Sequence, residues 1–401
     1  MCIHGSGTTD AVRVLALGAF LKNRACVWDG PRGDGVAGAV QWSVMHDDLG
    51  DPQACAALER SVQQWIEQDG GRKPDALAHD LHPDFYSTRL AQDLALSLGI
   101  PAVGVQHHHA HVAAVVAAQG ITGAVIGLAL DGFGLGSDGQ PWGGELLWVE
   151  GARWRRLAHL SCLPMPGGDR AAREPWRMAL AWCEAAGQHG DALVRAVGDA
   201  RYRLVRDMVR KGLNSPLTSS AGRWFDAMAA LLGLCLEQQD EAQAAIALEA
   251  AASRWLQAHP HTAQARHDAW AQGGELNMHE LVATALTYRR EGAEPGEAAA
   301  IFHLGLADGL ALHAARHAEQ VQVHDVCLSG GCFFNRLLRE RLELRLREAG
   351  LRSWVVGEAA HGDAHLAIGQ AWVVAACLQD EHTTPAVVCT ESMLCCEPLE
   401  T

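Results

Sequence analysis

"PAVGVQHHHAHVAAVVAAQG", residues 101–120, combines three signals that decide the fold. PAVGV reads as a short strand. An Ala/Val run closed by Gly120 reads as a buried helix. Between them stand His107, His108, His109 and His111, four imidazoles in little more than one turn. Imidazole is a poor helix former and is costly to bury. These histidines therefore sit where a strand gives way to a helix, the position that commonly holds ligands in α/β folds.

Outward from this junction the same alternation continues. "AVRVLALG" (11–18), "RACVWD" (24–29) and "AGAVQWSVM" (37–45) read as strands, and 51–68 as an amphipathic helix. "DALAHD" (75–80) is a strand and "FYSTRLAQDLALSLG" (85–99) a helix, so the order up to residue 119 is βββαβαβα. A second β-rich series opens at "GAVIGLALDG" (123–132) and continues through 143–150 and 153–160. A mostly helical stretch then spans about 171–320. Strand 325–331, helix 333–349, strand 352–357 and helix 363–378 close the series. Two β-rich openings, each followed by β/α alternation, predict a duplicated α/β core. The expected division is an N-terminal lobe at 10–121, a C-terminal lobe at 122–380 carrying the helical insertion, and an irregular tail at 381–401.

Composition narrows the function classes. The 401 residues carry 47 acids against 32 bases, a net charge of −15, which argues against nucleic-acid binding. The only lysines are Lys22, Lys73 and Lys211, and none completes a Walker A loop. No apolar run reaches the roughly 18 residues of a membrane span, and the first residues lack a secretory pattern. The expectation is a cytoplasmic protein with no membrane partner. The 12 cysteines include no C-x-x-C pair, so zinc ribbons are not indicated.

His107 and His111 are i and i+4, so a helix puts both on one face at a spacing that suits a shared metal. The alternative is a polar helix start with solvated rings. Asp131, in "LALDGFG", and Asp363, in "HGDAHLAIGQA", are carboxylates at expected strand or helix ends, with His361 and His365 nearby. "LDGFGLGSDGQPWGGE" (130–145) contains Gly132, Gly134 and Gly136 but leads into a strand, so it is not a dinucleotide fingerprint. Phe133 and Leu135 exclude an EF-hand. Either it is a tight hairpin, or its amides approach phosphate while Asp131 holds a cation. "CLSGGCFFN" (327–335) is a strand, a Gly-Gly turn and a helix start, able to offer N–H groups to an anion. Asn335 there either fixes the turn or meets the ligand. "SSAGRWFDAMAALLG" (219–233) sets Gly222, Arg223 and Asp226 at a helix head, where Asp226 could accept from ribose or favour the helix dipole. "LPMPGGDRAAREPWRMA" (163–179) offers Asp169, Arg170 and Arg173, as an anion clamp or as ion pairs.

These stretches, in this order, resemble the C-terminal carbamoyltransferase region of the HypF hydrogenase-maturation proteins. "DLHPDFYSTRLA" (80–91), "VQHHHAHVAA" (105–114), "TSSAGRWFDAMAALLGL" (218–234), "EAQAAIALE" (241–249), "LSGGCFFNRLL" (328–338) and "GDAHLAIGQA" (362–371) carry the resemblance with the motifs above. It covers about residues 12–378. It implies a two-lobed α/β fold of the actin/Hsp70/sugar-kinase superfamily, with ATP or a carbamoyl adenylate between the lobes. It implies that His107, His111, Asp131 and Asp363 are catalytic and bind a divalent metal, iron or zinc. Gly132, Gly134, Gly222, Asp226, Glu241, Ser329, Gly330, Gly331 and Asn335 become nucleotide contacts, and Asp169, Arg170 and Arg173 substrate contacts. The implied reaction moves a carbamoyl group, activated from carbamoyl phosphate and Mg-ATP, onto the C-terminal cysteine of HypE. The thiocarbamate product leads to the cyanide ligands of [NiFe]-hydrogenase.

Two departures stand out. Gly362-Asp363-Ala364-His365 replaces the usual N-D-G-G, and Glu241-Ala242-Gln243 replaces E-G-Q. The resemblance also implies a short form without acylphosphatase, zinc-finger and adenylate-forming domains, so that either a separate protein supplies the adenylate or this chain makes it directly from carbamoyl phosphate and ATP. An O-carbamoyltransferase acting on a small molecule and a non-catalytic HypE-binding paralogue are the alternatives.

Overall fold

A computed structural model describes residues 11–31, 38–68, 72–271, 276–357 and 362–378. His361 and the expected tail at 381–401 lie outside the described residues. The chain forms two compact units. One comprises residues 1–125, 148–155 and 354–401, and the other residues 126–147 and 156–353.

In the first unit, β1 (Ala11–Ala16), β2 (Cys26–Pro31), β3 (Ala39–Trp42), β4 (Ala76–Asp80) and β5 (Ala102–Val105) form one sheet in the order β3-β2-β1-β4-β5. β1 runs antiparallel to β2 and parallel to β4, and β4 is parallel to β5. Both faces are covered, and the period-2 alternation decides which residue faces which helix. Val12, Val14, Ala16, Ala76 and Ala78 pack beneath α3 (His107–Gln119) and α13 (Leu366–Cys377). Leu15, Leu17 and Leu77 point the other way, onto α1 (Pro52–Gln68) and α2 (Tyr86–Leu98).

The first unit is not contiguous in sequence. α13, assigned from sequence to the C-terminal lobe, packs against α3 and β1 in the first unit. The reason is its composition. It is apolar almost all round, so it needs cover on every side. Gly369 leaves room for close backbone contact with α3, since a Cβ there would sit 1.9 Å from the carbonyl oxygen of Ala110.

The remaining strands are β6 (Val125–Leu135), β7 (Pro141–Glu150), β8 (Arg153–His159), β9 (Leu163–Pro164), β10 (Leu217–Thr218), β11 (Asp325–Ser329) and β12 (Arg352–Trp354). The second large sheet has the order β12-β11-β6-β7-β8, with β11 parallel to β6. Read from the other edge, this is the strand order of the first sheet, so the expected duplication is real at the level of topology. The helices of this region are α4 (Asp169–Arg173), α5 (Trp176–Ala185), α6 (Asp191–Val197), α7 (Asp199–Lys211), α8 (Ala221–Leu231), α9 (Gln243–Ala258), α10 (Met278–Arg290), α11 (Pro295–Val321) and α12 (Arg336–Glu348).

α11 is long and apolar enough to cross a membrane by length and composition alone. Its most apolar stretch is 89% buried within the fold, and α9, α10 and α12 surround it. It is a core helix. Its one carboxylate in the buried middle, Asp308, accepts from the guanidinium groups of Arg341 and Arg345 at 2.6–2.9 Å and from the amide of His267. Burial alone would raise the pKa of Asp308, but these donors hold it below the ordinary carboxylate range.

Candidate metal and nucleotide sites

In the first unit the site begins at the β5–α3 junction. Gln106 starts the helix that the histidines could not, its side chain accepting from the His109 amide at 2.8 Å. All four imidazoles are buried, which excludes the solvated reading. His109 turns away, its Nε2 on the carbonyl of Gly151 and its ring near Trp154. Burial pushes its pKa down to about 4, so it is neutral at pH 7.

His107 and His111 turn the other way. His107 Nδ1 lies 2.7 Å from Asp80 Oδ2, with Asp80 fully buried at the end of β4. Burial would raise the pKa of Asp80, but the imidazole and the amide of His82 hold it below its ordinary value. A charged carboxylate at Nδ1 fixes the proton there and leaves the lone pair on Nε2. That Nε2 is 3.7 Å from Asp363 Oδ1, and His111 Nε2 is 3.4 Å from the same oxygen. Ligand atoms about 2.0–2.2 Å from one cation lie roughly 3–3.5 Å apart. Electron-rich atoms converging this closely require a positive charge among them, either a proton or a metal ion. The donor set, two imidazoles and a carboxylate with a second carboxylate behind one ring, fits a divalent cation such as iron or zinc.

Asp80 was not singled out from sequence. Its carboxylate at a strand end is a weak signal, and its partner lies 27 residues away. Replacing Asp80 by Asn is expected to weaken divalent-metal affinity about 10- to 100-fold with the fold retained. A chelator-competition titration beside an unfolding curve checks this, and unchanged affinity would show that Asp80 has no hold on the ring.

The second unit holds the other predicted residues. The sequence pattern puts Asp131 at a strand end, but β6 runs through it to Leu135, because the turn begins only where the Gly136 amide closes on the carbonyl of Gln140. Gly132 and Gly134 are therefore strand residues. The turn after β11 is built as expected. Gly330 has φ +102°, and a Cβ there would lie 2.2 Å from the Leu130 carbonyl oxygen. The Gly331 amide donates to Asp131 Oδ1 at 3.1 Å, tying the Gly-Gly turn to β6. Ser329 is buried at the end of β11.

Asn335 fixes the turn. Its Oδ1 caps α12 through the Leu338 amide, and its Nδ2 donates to Nε2 of the buried His303. His303 Nδ1 in turn donates to the Ala299 carbonyl. Burial pushes the pKa of His303 down to about 4, so the ring stays neutral and keeps its accepting nitrogen.

Gly222 lets the head of α8 approach β6, since a Cβ there would meet Gly132 Cα at 2.9 Å. Asp226 is buried, and its pKa is raised by burial against the opposing pull of Arg223. Its Oδ2 is taken by Arg223 at 2.7 Å and its Oδ1 faces Gln238 at 3.4 Å. Asp169 and Arg173 are exposed. Arg170 pairs with Glu174, which also holds Arg177, so of the two readings of that loop the ion pair is the one seen here.

Glu241 is exposed in the turn before α9. Its neighbour Ala242 is held at φ +59°, the left-handed conformation that glycine adopts freely. Ala242→Gly should therefore stabilise the protein by up to about 1 kcal/mol, since the relieved strain of about 1–2 kcal/mol exceeds the added freedom of the unfolded chain. A denaturant midpoint no higher than the parent's would count against this.

Known proteins match this arrangement along almost the whole chain. Residues 9–118 match the HypF Kae1-like domain, and residues 127–370 match the second subdomain of the carbamoyltransferase Kae1-like domain. A carbamoyltransferase HypF homolog of Cupriavidus necator is 47% identical over 372 residues, 92% of each chain. Carbamoyltransferase HypF2 of the same organism is 42% identical over 90% of this chain, but only 46% of its own length is covered. The crystal structure of full-length HypF in a phosphate- and nucleotide-bound form superposes with a TM-score of 0.82 at 27% identity, over 93% of this chain and 47% of that one. That of T. kodakarensis HypF gives 0.79 at 28% identity, over 93% and 50%. The chain thus spans about half the length of these longer relatives. The two-lobed α/β fold class expected from sequence is borne out by the same structures. With both subdomains matched and nearly half of all residues shared with a relative of equal extent, the chain belongs to the HypF carbamoyltransferase family.

Proposed function

We propose that the protein transfers a carbamoyl group from a carbamoyl adenylate to the C-terminal cysteine thiolate of HypE, in the synthesis of the cyanide ligands of [NiFe]-hydrogenase. The observation that carries the reading is the His107–His111–Asp363 convergence with Asp80 behind it, in a chain of the HypF family. A divalent cation held by His107, His111 and Asp363 would supply charge neutralisation to phosphate oxygens.

The chain's own residues have three tasks in this reading. Asp80 keeps the His107 proton on Nδ1, so that Nε2 stays available as a donor atom. The Gly330–Gly331 turn, held by the Asp131 carboxylate and by the His303–Asn335 contact, forms part of the nucleotide site and is rigid before substrate arrives. Gly132, Gly134, Gly222, Asp226, Glu241 and Ser329 complete that proposed site. Asp226 contributes by fixing Arg223 beside the Gly132 carbonyl, since its carboxylate is already engaged. No nucleophile from this chain is required, because the acceptor thiolate comes from the partner and AMP is a good leaving group.

The test combines purified protein, HypE, carbamoyl phosphate and Mg-ATP, and reads the carbamoyl mass on the HypE terminal peptide together with AMP release. A carbamoylated terminal cysteine is expected. AMP and pyrophosphate formed without another protein would show that this chain makes its own donor. Transfer only after adding an adenylate-forming protein would assign that step elsewhere. An unmodified HypE in both cases, with carbamoylation of a sugar hydroxyl instead, would overturn the proposal.

A further inference from the structure

Glu145 is the least exposed acid of the β6–β7 hairpin region and has no assigned role. Its side chain has no solvent exposure. Oε1 accepts from the amides of Gly143 and Gly144 at 3.0–3.1 Å and from the Ser219 hydroxyl at 2.5 Å. Oε2 accepts from Arg156 Nε at 2.7 Å. A carboxylate with this many donors does not move, and it holds the arginine by one edge.

Trp142 holds the arginine by its face. The guanidinium carbon of Arg156 stands 3.8 Å over the indole ring, in the stacked geometry that favours arginine over lysine. With one edge and one face fixed, the two terminal nitrogens are left to present themselves. Nη2 makes a long contact of 3.3 Å to the Ser219 hydroxyl. Nη1 lies 4.0 Å from Asp138 Oδ2, beyond hydrogen-bond reach. Among the described residues, only one of the five N–H donors is committed to a short bond, and the side chain keeps 22% of its surface in solvent. Ser219 immediately precedes Ser220, the residue that caps α8 and whose hydroxyl donates to the carbonyls of Asp131 and Gly132. The guanidinium fork is thus presented beside the positive end of an eleven-residue helix, one residue from the Asp131 segment.

We propose that Arg156, oriented by Glu145 and Trp142, binds a phosphate group of the substrate in the second unit. A guanidinium stacked on one face and anchored on one edge offers a planar pair of donors, which suits two oxygens of a phosphate. The helix end adds to the same charge. Among the described residues, Asp138 is the opposing charge beside the terminal nitrogens, while Glu145 faces Nε. It is half exposed, and its Oδ1 is held by the Trp142 indole and the Gln140 amide. The bearer of that phosphate, AMP or carbamoyl phosphate, rests on the carbamoyl-donor reading. The phosphate contact itself does not.

Two substitutions with opposite expected signs test this on the whole chain by titration calorimetry with inorganic phosphate and with AMP. Arg156→Lys keeps a charge opposite Glu145, so the fold survives, but it loses the fork. Phosphate affinity is expected to fall about tenfold. Asp138→Asn keeps the acceptor for Trp142 and removes the opposing charge. Phosphate affinity is expected to rise about 2- to 5-fold, which a merely structural role of this cluster would not produce. Arg156-dependent phosphate binding without any binding of AMP would leave the site standing and remove the nucleotide reading. AMP binding of equal strength in wild type and Arg156→Lys, with phosphate binding absent or equally unchanged, would leave the nucleotide reading standing and overturn this one.

Discussion

Changing His107 and His111 together to alanine is expected to give a folded protein that holds no divalent metal and transfers no carbamoyl group. Both rings sit in the first turn and a half of α3, where alanine is the better helix former. Gln106, which caps the helix, is untouched. The cost falls on Asp80, which loses the imidazole that holds its pKa low while remaining fully buried. It then takes up a proton rather than keep an unpaired charge. His111→Ala alone avoids that cost, because the His107–Asp80 pair survives, yet it still removes one of three converging donor atoms. Its metal affinity should fall by more than the roughly 100-fold ceiling expected for losing an outer partner such as Asp80. Elemental analysis and chelator competition read the metal, and HypE carbamoylation reads the activity. Full transfer by a metal-free double variant would remove the metal from the mechanism.

Much of this site could be read from the chain alone, and the reason is local periodicity. The i, i+4 spacing of His107 and His111 fixes a shared face on any helix, and the strand before it places that face at a β-to-α junction. The Gly330–Gly331 turn was legible for the same reason, since strand, turn and helix follow one another without a break. What stayed hidden depends on partners distant in sequence. Asp80 meets His107 only because β4 and β5 are neighbours in the sheet. Asn335 meets His303 only because α11 passes behind the turn. Asp226 and Arg170 carry the charges that a substrate site needs, and the sequence cannot show that each already has a partner on its own helix or just beyond it. The four histidines looked too polar to bury. They are buried because capping, a backbone carbonyl and a carboxylate were available to them, and the last two are tertiary facts.

The second large effect is expected where α13 packs against α3. Asp363 stands in the short turn that leads into α13, and His107 and His111 stand on α3. The distance between these donor atoms is therefore set by how closely the two helices pack. Gly369 sets that packing. A methyl group at this position would sit 1.9 Å from the Ala110 carbonyl oxygen and 2.8 Å from the Ala114 nitrogen. Both are backbone atoms, so no rotamer change relieves the clash and the helices must separate. Overpacking of this kind costs about 3 kcal/mol at the upper end of its usual range. The gain in helix propensity from Gly to Ala, about 1 kcal/mol, offsets only part of it. Gly369→Ala should therefore lower the unfolding free energy by about 2 kcal/mol. It should also weaken metal binding at least tenfold, because donor atoms now 3.4 and 3.7 Å apart would be drawn out of range of a common ion. Ile368→Val, on the same helix, supplies the control. It removes one methyl group from the core at a cost of about 1 kcal/mol and presses on no backbone, so it should leave the metal in place. If Gly369→Ala keeps full metal affinity while losing stability, the packing of α3 on α13 is not what holds Asp363 against the histidines.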